Sequence, residues 1–133
     1  MDNVNDQAKP GEIAPRPLSD TERGVLESLL AQDFDGAVAL RSQLPHANVV
    51  GACTCGCVTV ALAVDKETAE PAAIGGRLIR AEATILDDMN EPIGGVIVFL
   101  RDGYLSMLEA YSYGDPISAW PEPDRLNVFL RDV

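Results

Sequence analysis

The chain has 133 residues, enough for one domain with its own core and too few for two ordinary ones. Apolar residues make up 47% and charged residues 23%, as in a globular protein, and the formal net charge is −11. That charge works against nucleic acid and anionic membranes, whose recognition rests on Lys and Arg, and favours a basic partner or no charged partner at all.

Residues 1 to 17 are polar and carry Pro10, Pro15 and Pro17, so they read as a flexible N-terminal tail before a single α+β domain over 18–133. They hold early acids and no apolar core, so no signal peptide is expected. No apolar run approaches the roughly 18 to 20 residues of a membrane span. The expected compartment is the cytoplasm, where thiols stay reduced.

Ser19-Asp20-Thr21-Glu22 has the form of a capping box, and Val25, Leu26, Leu29 and Leu30 follow at helical spacing. A helix is predicted from about Asp20 to Ala31. Asp33 is the expected cap of a shorter second helix, with Phe34, Val38, Leu40 and Leu44 on its apolar side and Pro45 at its end. The texture then turns to strand. Val49-Val50 leads into a cysteine stretch, and Val58, Val60, Leu62 and Val64 alternate after it. Residues 65 to 76 read as a loop. Ile79, Ala81, Ala83 and Ile85 alternate with Arg80, Glu82 and Thr84, as in a half-buried strand. Residues 87 to 92 are a turn by composition. Val96 to Leu100 is a continuous apolar run expected in a central strand, and Asp102-Gly103 signals a hairpin returning through Leu105 to Tyr113. Leu126, Val128 and Leu130 offer a short last strand. The predicted fold is two N-terminal helices packed on one face of a four- to five-stranded antiparallel meander.

Cys53-Thr54-Cys55-Gly56-Cys57 holds every cysteine of the chain, and His46 is its one histidine. Three thiols and one imidazole match the ligand number of a structural zinc. One-residue gaps on an extended strand, however, put alternate side chains about 6 to 7 Å apart unless Gly56 allows a sharp turn. No Lys, Arg or second His flanks the thiols to lower their pKa. The spacing therefore favours a tight reversal in which the cysteines act as small, weakly polar residues in crowded space, where free Cys is often buried. A metal site of Cys53, Cys55 and Cys57, with His46 as a fourth ligand, stands as one alternative, and a generic regulatory interaction module as another. No cofactor is expected, and neither a phosphate-binding loop nor a catalytic motif is present.

Residues 36 to 64 contain Arg41 and no acid, so the acids lie on the flanks. Asp87, Asp88 and Glu91 share one turn, and Asp102 lies in the next, at the opposite end of the sheet. Glu109, Tyr111 and Tyr113 fall on one strand face, differing by two. Tyrosine beside carboxylate suits an interface, because Tyr is enriched among binding hot spots and acids steer a basic partner. These seven residues are the candidate partner-binding set of a protein expected not to be an enzyme. Lone Trp120, between Ala119 and Pro121, is expected to pack over the edge of the core.

The runs LPHANVVGACTCGCVTVALAVD and EPIGGVIVFLRDGYLSMLEAYSYGD, with the Trp-Pro of AWPEP, resemble small bacterial proteins similar to the immunity proteins of polymorphic toxin and contact-dependent inhibition systems. The resemblance spans about residues 18 to 126 and carries over no site residue. It implies a cytoplasmic protein that binds and neutralises one cognate toxin domain; the charge argues against a nucleic acid or membrane partner, and monomer and homodimer both stay open.

Overall fold

Glu22 starts the first helix by two bonds at once. Its backbone N–H donates to Ser19 Oγ at 3.1 Å, and its carboxylate accepts the Ser19 backbone N–H at 2.8 Å. Arg16 closes on the same carboxylate with two bonds of 2.9 Å, which lets Glu22 sit buried. Helix α1 (Asp20–Leu30) follows as predicted, with Val25, Leu26, Leu29 and Leu30 fully buried. Helix α2 (Ala37–Gln43) begins later than predicted. Its cap is Gly36 at φ +90°, not Asp33, and no side chain caps it. Ile74 packs against Gly36, where a Cβ would stand 3.0 Å from its side chain, so both backbone and space call for glycine. After Gln43 the chain tightens into a 3₁₀ turn over Leu44–His46 that contains Pro45.

The computed structural model describes residues 10 to 131. Among these the chain forms an α+β fold with two α-helices and one antiparallel sheet of seven strands. The strands are β1 (Gly11–Pro17), β2 (Ala47–Ala52), β3 (Val60–Val64), β4 (Ala81–Leu86), β5 (Pro92–Arg101), β6 (Tyr104–Ser112) and β7 (Leu126–Leu130), in the spatial order β1-β2-β3-β6-β5-β4-β7. The sheet is thus larger than the predicted four or five strands, and it is not one meander. Strands β4, β5 and β6 form hairpins, and β7 returns beside β4, which is a Greek key. The helices are not N-terminal either, because β1 precedes them.

Strand β1 replaces the part of the predicted tail that falls within the described residues; residues 1 to 9 lie outside them. Polarity and proline argued against a strand there, yet both suit an edge. Strand β1 pairs only with β2, and its ladder is irregular between Glu12 and Arg16, so Pro15 and Pro17 interrupt little. Strand β5, by contrast, lies between β4 and β6, so the apolar run Val96–Leu100 offers no free edge for pairing with a partner or a second copy. Asp102 (φ +54°) and Gly103 (φ +84°) form the tight β5–β6 turn with the two positive φ angles of a type I′ hairpin.

Alternate residues of the strands share one apolar cluster with both helices: Val60 and Leu62, Ala81 and Ala83, Val96 and Val98, Leu108 and Ala110. Helix α1 touches β4 and α2 touches β6. Two buried polar side chains fill gaps in the ladders. Gln43 donates to the carbonyls of Gly103 (2.9 Å) and Glu70 (3.0 Å) and accepts the Leu105 N–H at 3.0 Å. Thr59 accepts the Ala110 N–H at 3.1 Å and donates to the Ala110 carbonyl at 3.3 Å, extending a β3–β6 seam that otherwise pairs only Val60 with Leu108 and Ala61 with Met107. Trp120 is buried, as expected. No described helix is long and apolar enough to cross a membrane.

Candidate functional site

The pleat of β6 sends Leu108 and Ala110 into the core and leaves Met107, Glu109 and Tyr111 half-buried on the other side, and the register shift before Met107 returns Leu105 to the core side. The register places Ile97 opposite Glu109, Phe99 opposite Met107 and Gly95 opposite Tyr111. On the far side of β5, Thr84 stands opposite Gly95, and Glu82 pairs in turn with Phe129 of β7. One continuous surface therefore runs from Phe129 across Glu82 and Ile97 to Glu109 and Tyr111. It is mostly apolar, with two carboxylates set into it.

Local packing fixes its centre. The Tyr111 ring lies over Gly95, and any side chain at Gly95 would run into the phenol. The Tyr111 and Tyr113 rings are 6.0 Å apart and tilted by 54°, within the range of paired aromatics. Burial pushes the Glu109 carboxyl above its ordinary range, and among the described residues no ion pair or hydrogen bond reaches it. Burial, then Tyr113, Glu82 and Glu109, push the Tyr111 phenol up. Glu82 differs: Arg131 Nε stands 2.6 Å from its carboxylate. That approach is a charge contact without hydrogen-bond alignment, since Arg131 Nε lacks a hydrogen-bond partner.

The candidate set does not form one patch. Glu109, Tyr111 and Tyr113 come together as the spacing implied. Asp87, Asp88 and Glu91 lie in the β4–β5 turn, and Asp102 in the β5–β6 turn at the other end of β5. A ten-residue strand separates the two turns by about 30 Å. Asp87 is also engaged in its own turn, where Oδ1 accepts the N–H groups of Met89 (2.8 Å) and Glu91 (2.9 Å). Asp88 is exposed and 3.7 Å from Arg125. Sequence reasoning missed Glu82, Ile97, Phe99, Met107 and Phe129. The continuous run Val96–Leu100 hid Ile97 and Phe99, because an unbroken apolar run reads as buried on both faces.

The second cluster is the β2–β3 hairpin tip. The reversal is present, closed by a bond from Cys53 N–H to the Thr59 carbonyl at 3.1 Å. The expected packing of the cysteines as buried residues is not: Cys55 is exposed, and Cys53 and Cys57 are half-buried. Nor does the one-residue spacing hold the sulfurs apart. Gly56, at φ +100°, folds the stretch out of strand geometry, and the three Sγ atoms lie within 4.8 Å of one another. Cys53 and Cys55 Sγ are 2.6 Å apart, and Cys55 and Cys57 Sγ 3.0 Å. Burial and the contact with Cys55 push the Cys53 thiol up to about 12. Burial acts in the same sense on Cys57, but bonds from Cys55 and Thr59 outweigh it and hold that thiol below its ordinary range. His46 does not join them. It precedes β2 while the cysteines follow it, so a six-residue strand of about 20 Å intervenes, and its Nδ1 is 3.1 Å from Thr68 Oγ1.

Comparison of the chain with protein families, with curated proteins and with solved structures gives no match.

Proposed function

We propose that this chain is a non-enzymatic binding protein of the immunity type, which holds a basic segment of a cognate toxin domain against the open face of its sheet. In this reading the two helices cover one face of a two-layer fold and the partner covers the other. The observation that carries it is Glu109, a half-buried carboxylate with no described partner, among Ile97, Met107 and Tyr111. A lone carboxylate on an apolar surface is costly until a cation reaches it. An Arg or Lys from a partner would be steered by the net charge of −11 and held by Glu109, with Tyr111 and Tyr113 packing on its stem. The face also has the make-up of an interface centre, with Phe99, Tyr111 and Phe129 beside Met107 and few charges. Asp88 and Glu91 then steer from the rim and contribute little to the held complex.

The experiment is co-expression of the chain with the toxin domain encoded beside its gene. The wild-type chain protects the cell, and the Glu109→Lys, Tyr111→Ala double variant, folded by its circular dichroism, does not. Absence of an adjacent toxin gene, or full protection by the double variant, refutes the reading.

A further inference from the structure

We propose that the β2–β3 hairpin tip is a three-thiolate site for one soft monovalent cation, copper(I), held by Cys53, Cys55 and Cys57. This goes beyond toxin binding and stands or falls without it.

The donor set makes the first case. The three sulfurs converge on one point, and among the described residues no imidazole nitrogen or carboxylate oxygen belongs to the group. Thiolate selects soft ions such as copper(I) over hard ones such as magnesium or calcium. The stretch from Ser42 to Val64 contains no Asp or Glu, so no oxygen ligand from it competes.

Ligand number then separates copper(I) from zinc. Structural zinc is almost always held by four protein ligands, and the fourth candidate, His46, lies at the other end of β2. Copper(I), with a filled d shell and a single charge, is satisfied by three thiolates in a plane. Bonds of about 2.3 Å to a central ion place three sulfurs about 4 Å apart. The present separations of 2.6 Å and 3.0 Å are shorter than that spacing and the third is within 4.8 Å, so small rotations about Cα–Cβ that spread the sulfurs suffice.

The loop is built to hold such an ion. Its base is pinned by Cys53 N–H to the Thr59 carbonyl at 3.1 Å and by Val58 N–H to the Ile117 carbonyl at 3.0 Å. The Cys55 N–H points at Cys53 Sγ at 3.4 Å, a donor of the kind that tunes thiolates bound to metals. Thr54, Cys55 and Gly56 are exposed, which gives the ion a path from solvent or from a carrier. Binding is coordination without redox change. Three thiols give up three protons to solvent, three S–Cu bonds form, and copper stays monovalent.

The test uses the full chain, reduced and kept without oxygen. It is titrated with copper(I) against the chromophoric competitor bicinchoninate, with ultraviolet thiolate-to-copper absorption as a second readout. Zinc is titrated separately against a chromophoric zinc chelator. Expected are saturation at one copper per chain, loss of affinity by at least about tenfold in Cys55→Ser, and an unchanged thermal melt of that metal-free variant, because Cys55 is exposed. The His46→Ala variant binds copper as the wild type does. Failure to take copper from bicinchoninate, no saturation at one equivalent, wild-type affinity in Cys55→Ser, loss of binding in His46→Ala, or tighter zinc than copper binding each overturns the proposal.

Discussion

Replacing Gln43 by Leu keeps the volume of the side chain and removes its polar end. Gln43 is fully buried at the end of α2, and its amide makes three bonds of 2.9 to 3.0 Å, to the Gly103 carbonyl, the Glu70 carbonyl and the Leu105 N–H. Regular pairing does not take over these groups, because the β5–β6 ladder shifts register between Phe99 and Leu100. At about 1 kcal/mol net per bond, with the buried Leu105 N–H left unpaired, the loss is about 2 to 4 kcal/mol. That is a large part of the roughly 5 to 15 kcal/mol that holds a domain together. For a chain of this size it lowers Tm by about 10 °C. Thermal and urea unfolding measure it, with the urea slope expected to stay constant. Amide exchange adds a local readout, since the Leu105 N–H should lose protection while Val96 keeps it. A loss under about 1 kcal/mol with Leu105 still protected would mean that the amide is not a keystone of the hairpin.

Three other sites give further outcomes. The burial of Glu22 opposes its charge, but Arg16 and Ser19 outweigh it and hold the carboxyl below its ordinary range. A depressed folded pKa gives stability that is present above the unfolded value of about 4.3 and is lost as pH falls through the folded value. Urea midpoints of Glu22→Gln should therefore fall less steeply on acidification than those of the wild type, and parallel curves would contradict this. Glu109 has the opposite sign. Its folded pKa is raised, so the native state is penalised as pH rises through that value, and Glu109→Gln should be more stable than the wild type at neutral pH. Partner binding should lower the Glu109 midpoint, read by carboxyl-carbon NMR in the free and bound chain. Finally, Gly95→Val drives a side chain into the Tyr111 ring and should destabilise by about 1 to 3 kcal/mol. A double-mutant cycle with Tyr111→Ala should recover most of that loss, and additive effects would show that the ring does not lie there.

Local chemistry made much of the fold legible. The capping box at Ser19 and Glu22, the Asp102-Gly103 turn and the alternation from Ile79 to Ile85 each depend on neighbours within a few residues. What escaped depends on distance. The order β6-β5-β4-β7 needs a long connection to carry β7 back beside β4, and no local signal encodes it. Strand β1 was hidden because an edge tolerates the polar and proline-rich sequence that also marks a tail. Of the site, the i, i+2 spacing brought out Glu109, Tyr111 and Tyr113, but the cross-strand neighbours Glu82, Ile97 and Phe129 become visible only with the register. The cysteines turned on one premise. An extended strand would hold them apart, and the positive φ at Gly56, the exception their spacing allowed, brings them together.

The central claim is that Glu109 on the open sheet face, and not the acids of the turns, holds a basic partner. The direct measurement is stopped-flow association and dissociation of the chain with the proposed toxin partner, at several salt concentrations. Glu109→Gln should raise the dissociation rate by at least about tenfold with little change in association, as for a charge that loses its partner in a buried contact. Reversing Asp88 and Glu91 together should instead slow association and flatten its salt dependence, leaving dissociation nearly unchanged. Equal dissociation rates for the wild type and Glu109→Gln would contradict the account.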